Sequence, residues 1–205
     1  TGDINKLKIY YLHNIGLIVQ TLYPVIIAII IFSDIFVDVF FDSRYEYLSV
    51  IISILSISSL FQSVTALVGN MYIISDRTKI MFKLTILLVI IQSSILLVGA
   101  YTNNILYFTI AYTFAYVFFN FPISNYTSLK PFNISVFEIL KKIILPTIIS
   151  FAILGICLLI TIEYDFNLPS TILFIIFSLT LIYGLINKNI QKLLGFNNVW
   201  YSRYF

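Results

Sequence analysis

Six apolar stretches fill most of this chain, and the charged residues fall almost wholly between them. The stretches run Tyr10–Phe32, Tyr47–Gly69, Ile80–Tyr101, Ile105–Phe121, Ile143–Ile162 and Leu168–Ile186. Each approaches the ~20 residues that an α-helix needs to cross a hydrocarbon core about 30 Å thick. No core of any stretch holds an Asp, Glu, Lys or Arg; Lys83 stands at the entry to the third. A chain of this kind cannot build a soluble core of ordinary size, and its mean hydropathy of +1.00 with 10% charged residues excludes a water-soluble domain. It predicts an all-α polytopic membrane protein, residues 1–205 forming a single six-helix unit.

The charges set the orientation. If the six stretches cross in turn, Lys6, Lys8, Arg77, Lys79, Lys83, Lys130, Lys141, Lys142, Lys188, Lys192 and Arg203 share one side, 11 of the 12 basic residues, leaving Arg44 on the other. Acids lean the opposite way, with Asp34, Asp38, Asp42, Glu46, Glu163 and Asp165 across from Asp3, Asp76 and Glu138. Short loops rich in Lys and Arg stay in the cytoplasm. Both ends of the chain are therefore expected to be cytoplasmic, in a bacterial inner (cytoplasmic) membrane. The net charge of +3 reports this orientation and gives no reason to expect a nucleic-acid partner. The first residues, Thr1-Gly2, read as the start of a piece cut from a longer protein.

Breakers and caps refine the map. Ser33–Tyr45, interrupted by Asp38, reads as an interfacial turn or short helix. Asn103-Asn104 makes a tight turn, and Pro122–Ile134 reads as the longest loop. Ser135-Val136-Phe137-Glu138 has the capping-box pattern, so a helix is expected to start near Ser135. Pro24 and Pro146 are expected to weaken or kink their helices, and Pro169 to start the last one. Trp200, Tyr201 and Tyr204 suit a membrane-interface aromatic belt. Ala111 and Ala115 form a small-xxx-small pair of the kind that packs helices.

Chemistry-bearing groups are sparse. His13 and Cys157 are the one histidine and the one cysteine, too few for a zinc site, and a Ser-His-acid triad would have His13 as its single base. No Gly-rich phosphate loop is present. The expectation is a protein that is not an enzyme, with no catalytic residue, metal or cofactor. Asn125-Tyr126-Thr127 and Asn133-Ile134-Ser135 match the glycosylation pattern by chance, on the cytoplasmic side.

Two polar stripes remain. Ser49, Ser53, Ser56, Ser59, Ser63, Ala66 and Asn70 recur every three or four residues, on one face of a helix. His13, Gly16, Gln20 and Pro24 do the same in the first stretch. Such stripes either let helices approach and bond across the contact or line a wet cavity for a polar solute. On the second alternative His13, Gln20, Ser56, Ser63 and Asn70 are the candidate substrate-cavity residues.

In order and spacing the chain resembles the C-terminal half of bacterial polysaccharide flippases, the oligosaccharide exporters of the MOP superfamily. The likeness rests on Leu22-Tyr23-Pro24, the turn Val39-Phe40-Phe41-Asp42-Ser43-Arg44-Tyr45, the helix end Gly69-Asn70 running into Ser75-Asp76-Arg77-Thr78-Lys79, then Ala111-Tyr112-Thr113-Phe114-Ala115-Tyr116 and Leu140-Lys141-Lys142-Ile143-Ile144-Leu145-Pro146. It covers nearly the whole chain. Asp42, Asn103 and Asn104 stand where the family usually has glycine, and asparagine tolerates the left-handed geometry such a turn needs. The resemblance implies a six-transmembrane-helix lobe of a two-lobe transporter, with a missing N-terminal lobe as partner. It implies alternating access and a lipid-linked oligosaccharide (an O-antigen or capsule repeat unit) as cargo, beside the membrane lipid itself. Two other readings stand beside it. One is an integral-membrane glycan polymerase or ligase, a class that tends to carry catalytic Arg or His on a large external loop. The other is a non-catalytic six-helix assembly subunit.

The orientation is checkable directly. Cysteines placed one at a time at Ser43, Thr78, Asn104, Lys130 and Lys192 in a Cys157→Ala background, probed on intact cells with an impermeant maleimide, should label at positions 43 and 104 and stay silent at 78, 130 and 192. Strong labelling at 78 with silence at 43 reverses the orientation.

Overall fold

In hydrocarbon every backbone N–H and C=O must find a partner within the protein, and a helix supplies those partners internally. The computed structural model describes residues 4–41, 46–102, 104–163, 171–172 and 175–184, and these are almost wholly helical. In chain order the elements are α1 (Ile4–Ile31), α2 (Ser33–Phe40), α3 (Glu46–Thr65), α4 (Val68–Ile74), α5 (Thr78–Thr102), α6 (Ile105–Ala115), α7 (Phe121–Leu129) and α8 (Val136–Glu163). A π-helical turn, Tyr116–Asn120, joins α6 to α7, and a 3-10 turn, Lys130–Phe132, follows α7. A short apolar helix, α9, spans Ile175–Gly184. Among the described residues five helices are long and apolar enough to cross a membrane: Ile4–Ile31, Tyr47–Ile74, Thr78–Thr102, Ile105–Phe132 and Val136–Glu163. The chain is an all-helical, membrane-embedded protein. The expected sixth stretch, Leu168–Ile186, lies partly outside the described residues, as do Asp42, Asn103, Pro169 and the aromatic tail.

The spans are longer than their apolar cores. Tyr47–Ile74 runs past Gly69, and Ile105–Phe132 absorbs most of the expected loop Pro122–Ile134. Polarity misled there because the polar side chains bond to their own helix. Asn125 Nδ2 donates to Phe121 O at 2.8 Å, Thr127 Oγ1 to Ile123 O at 2.7 Å and Ser128 Oγ to Asn125 O at 3.1 Å. Pro122 falls in the first turn of α7, where a missing N–H costs little. Asn125 has no exposed surface, so the first glycosylation match is inert.

Both spans end on the same device. Asp76 and Asn133 are the two non-glycine residues with positive φ among those described, at 53° and 54°. Asp76 N bonds to Ile73 O and Arg77 N to Tyr72 O, while Asn133 N bonds to Lys130 O and Ile134 N to Leu129 O. These are Schellman closures with Asp and Asn in the place glycine usually takes. Asn104, by contrast, is extended with φ −121°. Its side chain accepts from Leu106 N and Tyr107 N as the N-cap of α6, so it serves as a cap and not as a left-handed turn residue.

Helix α1 lies at the centre, packed between α8 and α3. Its buried face is Tyr11, Ile15, Val19, Gln20, Tyr23, Pro24 and Ile27, at spacings of helical period. Lys8 Nζ stands 2.8 Å from both Glu138 carboxylate oxygens and 3.4 Å from Asn133 O. This sets the starts of α1 and α8 side by side, so the two run parallel. The predicted capping box is only half formed. Ser135 Oγ accepts from Phe137 N at 3.2 Å, but the Glu138 side chain turns to Lys8. The ion pair competes successfully because a cation is within reach.

Helix α3 makes the cross-helix bonds. Tyr23 Oη donates to Leu60 O at 2.9 Å and Ser53 Oγ to Ile30 O at 3.2 Å, which tie α3 to α1. Thr113 Oγ1 donates to Ile54 O at 3.2 Å and ties α6 to α3. The packed face of α6 is Thr109 and Thr113; Ala111 is exposed, so the small-xxx-small pair is not the contact. Pro24 and Pro146 are buried within unbroken helical assignments.

Helix α5 is different: none of its 25 residues is buried. Its main neighbour is α6. A Cβ added at Gly99 would stand 2.6 Å from Phe108 Cβ, so only glycine permits the approach. Gly99→Ala should therefore lower the melting temperature in detergent, by overpacking worth about 1–3 kcal/mol. In a Phe108→Gly background, which lacks the Cβ it would meet, Gly99→Ala should cost less than in the parent chain. Equal losses in the two backgrounds would show that the contact is not close.

Candidate functional site: a cleft at two helix breaks

Two spans are interrupted at one level. In the second, α3 gives way to α4 at Ala66-Leu67, where Leu67 N reaches back three residues to Val64 O at 3.4 Å. In the fourth, the π-turn Tyr116–Asn120 widens the helix just before Pro122, and Phe121 N bonds to Tyr116 O five residues back. A proline has no N–H for the carbonyl four residues behind it, and a widened turn absorbs that defect. The breaks lie close together: the Tyr116 side chain stands beside that of Thr65, the last residue of α3.

Below the breaks, α4 and α7 are clamped together. Tyr72 Oη hydrogen-bonds with Thr127 Oγ1 and lies 3.4 Å from Ser124 O. Ser124 Oγ donates to Asn120 Oδ1 at 3.2 Å. Phe61 of α3 meets Phe121 edge-on, ring centroids 5.0 Å apart.

Between this clamp and α5 lies a cleft of about 310 Å³. Its polar lining is Thr65, Tyr72, Thr85, Gln92, Asn120 and Ser124, and its apolar walls include Val68, Met81, Leu84 and Leu88. No lining residue carries a charge. A Cβ on Gly69, also in the lining, meets nothing within 4 Å, so the space is open there. Gln92 and the Asn120 Nδ2 group find no hydrogen-bond partner among the described residues.

The five residues expected from the sequence do not form one cluster. Gln20 lies on the packed face of α1, 6% exposed, with no hydrogen-bond partner among the described residues. Ser56 is buried on α3, and Ser63 donates to Leu60 O at 2.7 Å beside the Tyr23 hydroxyl, in the contact between α1 and α3. His13 is half-buried on α1. Asn70 falls beyond the break, exposed on α4. None of the five lines the cleft. The stripe on the second span loses its common face because the helix is interrupted between Thr65 and Val68. Sequence reasoning passed over Thr65, Thr85, Asn120 and Ser124. The signal that marks Asn120 and Ser124 is Pro122, which disturbs a helix at a polar position; Thr65 and Thr85 carry no such signal.

Among the described residues no three His, Cys, Asp or Glu side chains come together as metal ligands. Cys157 is buried and unpaired. No protein-family model, no curated protein and no solved structure matches the chain.

The placement of the stripe yields a measurable difference. Ser56→Leu puts a large side chain into a packed contact and should cost about 1–3 kcal/mol of stability, seen as a lower melting temperature in detergent. Asn70→Leu, exposed on α4, should leave that temperature unchanged. Equal drops at both positions would mean that α4 is packed as tightly as α3.

Proposed function

We propose that this chain is a six-span lobe of a two-lobe transporter. It carries a lipid-linked oligosaccharide from the cytoplasmic to the outer leaflet of a bacterial cytoplasmic membrane by alternating access, without covalent chemistry. The observation that carries the reading is the state of α5: a membrane-length helix with no buried residue, beside an uncharged polar cleft. A bundle left open along one span suits a lobe that closes against a partner. Rocking of one lobe against another then exposes a shared cavity to each side in turn. The order of features shared with polysaccharide flippases supports the choice of cargo. Segment Leu168–Ile186, helical over Ile175–Gly184, supplies the sixth crossing. The basic end, with Lys8, Arg77, Lys130, Lys141 and Lys142, faces the cytoplasm and receives the pyrophosphate of the cargo at the mouth.

The test is reconstitution. Liposomes holding the full-length gene product should move a fluorescent lipid-linked oligosaccharide between leaflets. Liposomes holding residues 1–205 alone should not, because one lobe cannot enclose a two-sided cavity. Equal rates for fragment and full-length protein would refute the reading.

A further inference from the structure

We propose that the first turns of α8 hold a resident anionic phospholipid in the leaflet at the basic end of the bundle, its phosphate on Lys141 and Lys142 and its acyl chains along the exposed face of the helix. Four observations carry the inference, which does not rest on the transport reading.

The first is depth. From Ile143 to Ile162 the chain is uncharged over twenty residues, about 30 Å of helix at ~1.5 Å per residue, which matches a hydrocarbon core. Lys141 and Lys142 therefore leave α8 where hydrocarbon gives way to headgroups. Lys141 Nζ folds back over the Phe137 ring, 4.9 Å from its centroid, so the ammonium lies toward the start of the helix, on the headgroup side. A lipid held there has its phosphate at the surface and its tails running inward. The second is the face. Phe137, Lys141, Ile144, Ile148 and Phe151 recur at helical spacing on one side of α8, and all are exposed. Ile139, Ile143, Pro146 and Ser150 are buried on the opposite side. An apolar strip thus begins directly below an exposed cation and runs toward the middle of the membrane.

The third is unpaired charge. The acid one turn earlier, Glu138, is held by Lys8 at 2.8 Å. Among the described residues neither Lys141 nor Lys142 makes an ion pair or a hydrogen bond, although Lys142 is half-buried. Both also stand near the helix N-terminus, the positive end of its dipole, where an anion is favoured and a cation is not. The fourth is the match to one kind of anion. A soluble phosphate or an acidic protein could meet the charges but would leave Ile144, Ile148 and Phe151 unanswered. A choline or ethanolamine headgroup brings its own cation beside the phosphate. Phosphatidylglycerol has a net negative charge, no cation, and acyl chains for the strip.

The experiment uses the full chain in nanodiscs of phosphatidylcholine doped with equal amounts of phosphatidylglycerol and phosphatidylethanolamine. Lipids retained on the protein are counted by native mass spectrometry. Phosphatidylglycerol should be enriched over both others. Lys141→Gln and Lys142→Gln should each cut that enrichment about fivefold, equivalent to about 1 kcal/mol, and Lys141→Arg should keep it. Lys141 is exposed, so its variants stay folded, as the melting temperature will report. Lys83→Gln removes the same charge at the same end, from exposed α5, and should keep the enrichment. Equal retention of the three lipids overturns the proposal. Equal losses at positions 83 and 141 would mean a diffuse positive field and no site, and displacement of the lipid by soluble glycerophosphoglycerol at matching concentration would make it a site for free anions; either also overturns the proposal.

Discussion

The structure depends first on the cost of an unpaired backbone group in hydrocarbon. That cost makes every described span a helix, and it also dictates how the spans may end or break. Asp76 and Asn133 adopt a left-handed conformation so that the last carbonyls of α4 and of the 3-10 turn after α7 are answered by Schellman bonds. Ile134 and Leu129, the flanking pair of the second closure, are both buried, which adds the apolar contact that usually accompanies such an end. Hydroxyls inside α7 bond to carbonyls three or four residues back, which lets a polar segment stay helical. Where the ladder changes register, with a three-residue bond at Leu67 and a five-residue bond at Phe121, a cleft lies alongside.

Within that frame α1 organises the bundle. Helices in lipid gain little from apolar burial, since acyl chains are as apolar as leucine; close packing and cross-helix hydrogen bonds, each worth roughly 0.6 kcal/mol, must do the holding. Helix α1 makes its bonds at both ends. Lys8 takes Glu138 and the Asn133 carbonyl at the basic end, and Tyr23 and the Ile30 carbonyl engage Leu60 and Ser53 of α3 further along. Three buried side-chain atoms, Tyr11 Oη, Asn125 Oδ1 and Ser150 Oγ, stay unpartnered among the described residues. With α1 and α8 parallel and Lys8 level with Glu138, twelve residues further along each helix bring Gln20 and Ser150 to a similar depth.

The rough place of five spans was legible because charge and hydropathy are one-dimensional signals. The short helix after Phe32 and the helix start near Ser135 were legible too, each from a local pattern. Which face of each helix packs was not. In a soluble protein the polar face marks the outside; here α5 and α8 are alike in apolar content, yet α8 buries seven residues and α5 none. The serine stripe runs into a break at Ala66-Leu67 that no proline or glycine there announces. The cleft was illegible because Gln92 and Asn120 come from separate spans, and only packing brings them to one space.

The two interruptions are best understood together. Above them α3 and α6 are joined through Thr113 and the Ile54 carbonyl; below them α4 and α7 are joined through Tyr72, Thr127 and Ser124. Thr65 and Tyr116 meet at the boundary. The second and fourth spans thus form two short two-helix blocks stacked end to end, each tied within itself by side-chain bonds, with the weak points of both backbones at one level. Bending is least costly where the ladder departs from regular α geometry and bonds within each block need not break. The cleft sits at that joint, so whatever fills it touches Thr65 and Val68 at the break, Tyr72 and Ser124 of the lower block, and Asn120 of the π-turn at once.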